Sequence, residues 1–305
     1  MDEEAMEAMR HIMRSQAAFA GMEVLTYCFL ANHFHIFVRL DPKETEGLDD
    51  AGLVARFRAL YGGTRCASLG LDADDLEVIL KKNGNSAEGI RRRLKARMGD
   101  VSVFMREVKT RFTLWYNGER GTVGTFWAER FRSVVVEADT AAQRMVAAYI
   151  DLNPVRAGLV EDAGDYGFSG FGEACAGSSA ARRGIARIEG KLTWATKSHE
   201  RYRARLCSRL GPGMRPLRRD QRSAAADATK EKAMPGAGLA EAEGSRLLSK
   251  IRAFSESWVV GSVGWVESFC GANGWLGFRR GREPKPLVQD GAADFAGIAT
   301  AVKRH

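Results

Sequence analysis

The sequence predicts an α+β fold in which an antiparallel strand pair is accompanied by amphipathic helices. Two apolar runs, 24–30 and 34–40, flank Ala31-Asn32, and this pattern is typical of a β-hairpin whose turn contains Asn32. Apolar residues recur at helical spacing over 3–20 and 103–116. With 305 residues, the chain is long enough for a sizeable core and for two domains.

Composition excludes several classes of protein. No apolar run approaches the length of a membrane span, and the acidic, amphipathic N-terminal stretch does not resemble a secretory signal. The five cysteines are scattered and form no CxxC pair, which argues against a zinc ribbon or a disulfide framework. We therefore expect a cytoplasmic protein with no membrane partner.

The charge distribution indicates a nucleic-acid partner. The formal net charge is +8 and the sequence pI is about 9.4. Residues 182–222 contain thirteen Lys or Arg against three acidic residues, and the stretch RRRLKAR at 91–97 is a second basic block. Two such clusters favour a phosphate backbone as partner, with Arg91, Arg92 and Arg93 as candidate DNA contacts.

Two histidines at the predicted hairpin form the first candidate site. On a strand, alternate side chains share a face, so His33 and His35 point one way and Phe34 points the other. Two imidazoles on one face can hold one divalent metal ion, each through a single ring nitrogen. The alternative is a pair of histidines at a hairpin mouth with no chemical role.

Helices and an insertion surround this hairpin. A helix over Glu3–Ala20 is predicted to end at Gly21. A helix from about 103 to 116 is predicted to start after Asp100 and to be stopped by Asn117-Gly118 and Gly121. Between them, a mostly helical insertion is predicted at about 43–100, with helices over 49–61, 72–83 and 86–98.

A strand and a helix follow the insertion. The β-branched second half of GTFWAERFRSVVVE, 124–137, predicts a strand on which Arg130 and Arg132 share a face; these arginines are either ordinary surface residues or phosphate contacts. The next helix is predicted to start at Asp139-Thr140, where Thr140 and Gln143 have the form of a capping box, and to end before Pro154.

Tyr149 and Asn153 form the second candidate site. They are four residues apart, so they lie on one face of that helix, one turn from each other. The structural alternative for Tyr149 is a core aromatic residue with its hydroxyl at the edge of the core.

The rest of the chain changes character. Residues 170–222 show little hydrophobic periodicity apart from a short helix at about 193–210, and 222–244 predict a flexible linker. Two short helices are predicted, over 245–254 and 263–269, before a basic tail. We therefore divide the chain into a first domain, a basic and partly disordered linker region and a small helical extension, at 1–172, 173–244 and 245–305.

Three strings resemble a known family. LTYCFLANHFHIFV is similar to the HUH motif (His, hydrophobic residue, His), and GTFWAERFRSVVVE and YIDLNPVRAGLVEDAGDYGFSG are similar to later motifs of the same family. This family is the single-tyrosine HUH transposases of the insertion-sequence-200-like group, in particular the REP-associated tyrosine transposases. The motifs occur in the family's order, and the resemblance covers roughly residues 5–172.

The resemblance implies a fold, an activity and a set of site residues. The fold is a ferredoxin-like antiparallel sheet with helices on one face. His33 and His35 would be ligands of Mg²⁺ or Mn²⁺, Asn153 would supply a third ligand through its amide oxygen, and Tyr149 would be the nucleophile. The substrate would be single-stranded DNA beside imperfect hairpins, cleaved and rejoined through a 5′-phosphotyrosine by a monomer or homodimer.

One departure from the family leaves alternatives open. Family members begin with a central β-strand, whereas here the first helix starts almost at Met1. The alternative function is therefore a catalytically inactive relic that binds hairpin DNA. A third hypothesis is a metal hydrolase built on the HxH pair, for which only His11, His199 and His305 remain as further histidine ligands.

Overall fold

The computed structural model describes residues 1–41, 43–138, 141–191, 193–209, 259–273, 285–286 and 298–301. These residues form α+β structure in which helices predominate, as predicted. The chain divides into two units: residues 1–24 with 29–131, and residues 25–28 with 132–305.

The first unit starts with the predicted helix, α1, over Glu3–Ala20. The carboxylate of Asp2 accepts a hydrogen bond from the Ala5 N–H at 2.9 Å and caps its first turn. Gly21 ends it in the left-handed conformation (φ 73°), which glycine adopts without steric cost. One face of the helix, containing Met9 and Met13, is fully buried.

The predicted hairpin follows. Strands β1 (Met22–Phe29) and β2 (Phe34–Leu40) form a two-stranded antiparallel sheet. The N–H of Leu30 donates to the carbonyl of His33 at 2.9 Å and closes the turn that contains Asn32. All of β1 except Glu23 is buried, which agrees with its mostly apolar sequence.

The insertion is helical, as expected. Its helices are α2 to α5, over Lys43–Glu46, Asp50–Tyr61, Ala73–Lys82 and Asn85–Lys95. Asp49 and Asp72 cap two of these helices through hydrogen bonds to backbone N–H groups. Phe57, Leu76 and Leu94 are fully buried in one cluster, so the insertion has a hydrophobic core.

Helix α6, over Val101–Arg120, completes the first unit and packs against α1. Asp100 caps its start as predicted; the helix passes the predicted stop at Asn117-Gly118 and ends at the predicted Gly121, which adopts the left-handed conformation (φ 60°). The helix continues to Arg120, whose guanidinium pairs with Asp2 at 2.7 Å and Glu4 at 2.8 Å. Gly121 is thus the local signal for this helix end, and the ion pairs of Arg120 add contacts distant in sequence.

The second unit contains the helix of Tyr149 and several that follow. In chain order, α7 to α11 cover Ala141–Asp151, Asn153–Arg156, Gly170–Cys175, Ser179–Ile188 and Thr196–Arg209. The predicted helix at about 193–210 is confirmed as α11. Helices α9 and α10 were not predicted, because Gly and Ala form much of their buried faces and few large apolar residues mark the helical repeat. The predicted capping residue Thr140 and the linker at 222–244 lie outside the described residues.

A second sheet corrects two predictions. The strand expected in the second half of 124–137 is only β3, Val135–Val136. The extension is not mostly helical in its described part: besides helix α12 (Val263–Ala272) it contains strands β4, β5 and β6, over Val259–Ser262, Lys285–Pro286 and Ile298–Ala301. Strand β3 pairs in parallel with β4, and the strand order is β3-β4-β6-β5. The helix predicted at 245–254 lies outside the described residues.

Candidate functional site

The two hairpin histidines lie beside each other. His33 is the last residue of the turn and His35 the second residue of β2, and their ring centres are 5.2 Å apart at an interplanar angle of 82°. Phe34 packs elsewhere, edge-on against Trp127 with ring centres 5.3 Å apart. The predicted alternation of faces therefore brings the imidazoles together, although His33 precedes the strand.

Asn32 orients the first imidazole. Its Oδ1 lies 2.8 Å from Nδ1 of His33, and since an amide oxygen only accepts, Nδ1 carries the hydrogen. The lone pair of His33 is then on Nε2, which is the arrangement of a metal-binding histidine with an oriented outer partner. Although His33 is exposed over much of its surface, partial burial of the ring lowers its pKa, which favours the neutral form that binds metal.

The donor set of the hairpin fits a divalent ion in part. Two imidazoles that bind one ion through nitrogens about 2.1 Å from it have ring centres roughly 5 Å apart, close to the spacing of this pair. Among the residues that the structure describes, no group of three or more His, Cys, Asp or Glu is arranged to hold a metal. Further ligands would therefore have to be amide oxygens, water or substrate.

Tyr149 and Asn153 are held by the end of α7. Pro154 has no N–H, so the carbonyl of Ile150, four residues earlier, loses its helical donor. The side-chain Nδ2 of Asn153 donates to that carbonyl at 3.2 Å and to the carbonyl of Tyr149 at 2.9 Å. The side-chain nitrogen of Asn153 thus replaces the backbone donor that Pro154 lacks. Its Oδ1 accepts no hydrogen bond from the described part of the chain.

Arg156 is a charged neighbour of the Tyr149 ring. Tyr149 is half-buried, and burial raises the pKa of its phenol above the ordinary value, an effect that Arg156 partly offsets. The guanidinium carbon of Arg156 lies 4.9 Å from the centre of the ring. Sequence reasoning missed Arg156, although its separation of seven residues from Tyr149, two helical turns, signals a shared face.

Sequence reasoning also missed Asp151, a fully buried carboxylate. Its Oδ1 accepts hydrogen bonds from the Thr26 hydroxyl at 2.7 Å and the Phe171 N–H at 3.2 Å, and its Oδ2 accepts from the Tyr202 hydroxyl at 2.6 Å. Burial raises its pKa to about 6 in spite of these bonds. A charged residue inside the apolar run AAYIDL was the signal in the sequence. Asp151 thereby fixes the helix end that carries Tyr149.

The predicted DNA-contacting arginines differ in their surroundings. Arg91 makes a bidentate ion pair with Asp50, with N–O distances of 2.7 and 2.8 Å, so its guanidinium is engaged within the fold. Arg93 donates to the carbonyl of Ser68 at 3.1 Å and is exposed, as is Arg92. The remaining two, Arg130 and Arg132, are exposed in the irregular segment before β3. The role of these five arginines as DNA contacts stays a prediction.

The other histidines do not extend the hairpin pair. His11 is exposed on α1. The Nε2 of His199 lies 3.3 Å from the Sγ of Cys175, and its ring stacks on Phe171. His305 lies outside the described residues. The hydrolase hypothesis thus has no described histidine in a position that favours it.

The chain matches no protein-family model, and no curated protein or solved structure is significantly similar to it. Within the described residues, no helix is both long and apolar enough to cross a membrane.

Proposed function

We propose that this chain is a metal-dependent transposase that cleaves and rejoins single-stranded DNA beside hairpins through a 5′-phosphotyrosine. The observation that carries the proposal is the histidine pair, with ring centres 5.2 Å apart and Asn32 orienting one imidazole. The tyrosine and asparagine, joined by a hydrogen bond on one helical turn, supply the remaining groups. The same proposal includes a ferredoxin-like catalytic domain in which β1 and β2 are the metal-bearing strands.

The proposed chemistry assigns one role to each group. In this proposal His33 and His35 would hold Mg²⁺ or Mn²⁺, and Asn153 would supply an amide oxygen as a further ligand. When bound, this cation neutralises the non-bridging oxygens of a phosphodiester. The hydroxyl oxygen of Tyr149 attacks phosphorus, forming an O–P bond as the bond from phosphorus to the 3′-oxygen breaks. The phenolic proton passes to water, and the departing 3′-oxygen takes up a proton to give a free 3′-hydroxyl.

The reaction exchanges one phosphodiester for another. Because the phosphotyrosine retains the bond energy, a 3′-hydroxyl of another end can attack it and restore a DNA strand without ATP. The raised pKa of Tyr149 makes the phenol a poor nucleophile by itself. Positive charge beside the phosphate is therefore required for attack.

A second candidate function is a catalytically inactive protein that binds hairpin DNA. The observation that favours it is the hairpin sheet, which contains only β1 and β2 in the described part of the chain. The sheet of active family members, as the resemblance implies it, has a further central strand. Exposed arginines such as Arg92 and Arg93 are compatible with binding whether or not cleavage occurs.

A labelled-DNA assay distinguishes the two candidates. The purified chain is mixed with Mn²⁺ and hairpin single-stranded DNA labelled at either end, and products are separated under denaturing conditions. A transposase joins the 3′-labelled fragment to the protein and releases the 5′-labelled fragment with a free 3′-hydroxyl.

Matched substitutions assign the groups. Tyr149→Phe should abolish the covalent band and Tyr166→Phe should retain it. His33→Ala and His35→Ala should weaken the band, whereas His11→Ala, on an exposed helix face, should not. A band that persists in Tyr149→Phe refutes the nucleophile assignment, and hairpin binding with no band in the wild type favours the inactive binder.

A further inference from the structure

A guanidinium without a counter-ion lies against the Tyr149 ring. The backbone N–H of Arg156 donates to the carbonyl of Leu152 at 3.0 Å and fixes the residue at the end of α8. The side-chain Nε and Nη1 atoms are buried, and they find no hydrogen-bond acceptor among the described residues. No described carboxylate lies within ion-pair distance of this guanidinium.

Two other partly buried arginines of this chain are neutralised. Arg97 pairs with Glu107 at 2.7 Å, and Arg203 pairs with Asp162 at 2.6 Å. A buried cation that lacks such a partner loses its hydration without compensation, which is unfavourable unless an anion binds. Burial lowers the pKa of Arg156 to about 10, so the side chain still carries its charge at neutral pH.

We propose that Arg156 is an anion-binding residue that takes a phosphate group and holds it beside the hydroxyl of Tyr149. An arginine suits this role, because the donors of a guanidinium match phosphate oxygens and the planar group stacks on an aromatic ring. The identity of the phosphate as a DNA phosphodiester rests on the proposed function. Anion binding itself rests only on the buried, unneutralised guanidinium.

The role has two stages within the proposed reaction. Before attack, Arg156 neutralises the phosphodiester that Tyr149 approaches, and afterwards it neutralises the phosphate attached to the same tyrosine. Because the guanidinium lies 4.9 Å from the ring centre, phosphate and phenol share one cation throughout the exchange. The stability lost by burying an unpaired charge in the free protein is recovered when the anion binds.

The first test measures anion binding without any reaction. The melting temperature of the full chain is compared in potassium phosphate and in potassium chloride of equal ionic strength, for the wild type, Arg156→Met and Arg144→Met. Arg144, half-buried on α7 and in no ion pair with a described residue, is the control for loss of one positive charge. We expect phosphate to raise the melting temperature of the wild type and of Arg144→Met by about 2–4 °C.

Arg156→Met should lose this response. In chloride it should melt at or above the wild-type temperature, because the substitution removes an unpaired buried charge. If Arg156→Met does not fold, Arg156→Lys serves instead and should show a reduced phosphate response. A response equal to that of the wild type in either variant overturns the proposal.

The second test measures the rate of the covalent band at saturating hairpin DNA. Arg156→Met and Arg156→Lys should slow its formation about 100-fold, while hairpin affinity changes far less. A wild-type rate in these variants overturns the proposal. If the wild type forms no band but only Arg156→Met loses the phosphate response, the anion site stands and the transposase reaction fails.

Discussion

Removing the buried carboxylate of Asp151 by substitution with alanine tests whether this residue stabilises the second unit. Asp151→Ala leaves three buried donors without an acceptor: the hydroxyls of Thr26 and Tyr202 and the N–H of Phe171. Each unsatisfied group costs about 1–3 kcal/mol, so the combined loss is about 6 kcal/mol. These donors come from a strand and from two helices, so the effect should extend through the unit.

An opposing contribution reduces the net effect. The carboxylate is itself unfavourable at pH 7, because burial raises its pKa to about 6, roughly two units above its unfolded value, and each unit corresponds to about 1.4 kcal/mol. Alanine relieves that cost of about 3 kcal/mol. We therefore expect Asp151→Ala to lower the free energy of unfolding by about 3 kcal/mol at pH 7.

Asp151→Asn is the matched control. Its amide oxygen can still accept from Thr26 and Phe171, its amide nitrogen can donate to the Tyr202 oxygen, and it carries no charge. It should be at least as stable as the wild type at pH 7. Tyr202→Phe removes one of the hydroxyls that lose their acceptor in Asp151→Ala. It should therefore lower the free energy of unfolding less in that variant than in the wild type.

Urea unfolding, together with hydrogen exchange of the Phe171 amide, measures these effects. Exchange is the local probe, since this amide donates to Asp151. The reasoning is refuted if Asp151→Ala costs less than about 1 kcal/mol, or if Asp151→Asn is as unstable as Asp151→Ala.

Three further predictions concern pH, packing and metal binding. Since the pKa of Asp151 is about 6 in the fold, the native state binds a proton that the unfolded state releases between about pH 4 and pH 6. Wild-type stability relative to Asp151→Asn should therefore fall by about 2 kcal/mol from pH 4 to pH 6 in urea titrations, and a rise would contradict this. A Cβ at Gly170 would lie 2.2 Å from Thr26 Oγ1 and 2.8 Å from Thr26 Cα, so Gly170→Ala should lower the free energy of unfolding by about 2 kcal/mol. A Cβ at Gly167 would meet no atom within 4 Å, so Gly167→Ala should change that free energy by less than about 0.5 kcal/mol. Asn32→Ala releases the neighbouring imidazole and should weaken Mn²⁺ binding about 10-fold in a titration followed by electron paramagnetic resonance, while unchanged affinity would exclude the orienting role.

Local patterns were enough for much of the first unit. The turn at Asn32 requires only two neighbouring apolar runs and a residue suited to a turn, and the end of α1 requires only Gly21. The alternation of a strand was also enough to place His33 and His35 side by side. In each case the interactions that decide the structure lie within a few residues of one another.

Other outcomes depended on partners distant in sequence. Arg91 belongs to a basic run that suggests a free surface, but Asp50, far away in the chain, engages it. The short strand at Val135–Val136 pairs with Val259–Val260, and no local pattern predicts this register. Helix α10 was not predicted, because its buried face consists largely of small residues.

By itself, the sequence determined the α+β class, the hairpin with its two histidines and the one-turn spacing of Tyr149 and Asn153. Only the tertiary structure decided which ionisable groups are buried and which of them have partners. It surrounded Asp151 with three donors and left Arg156 without a described acceptor beside the tyrosine ring. The physical reason is that turn and helix patterns follow from local interactions, whereas desolvation and charge pairing depend on residues that folding brings together from distant parts of the chain.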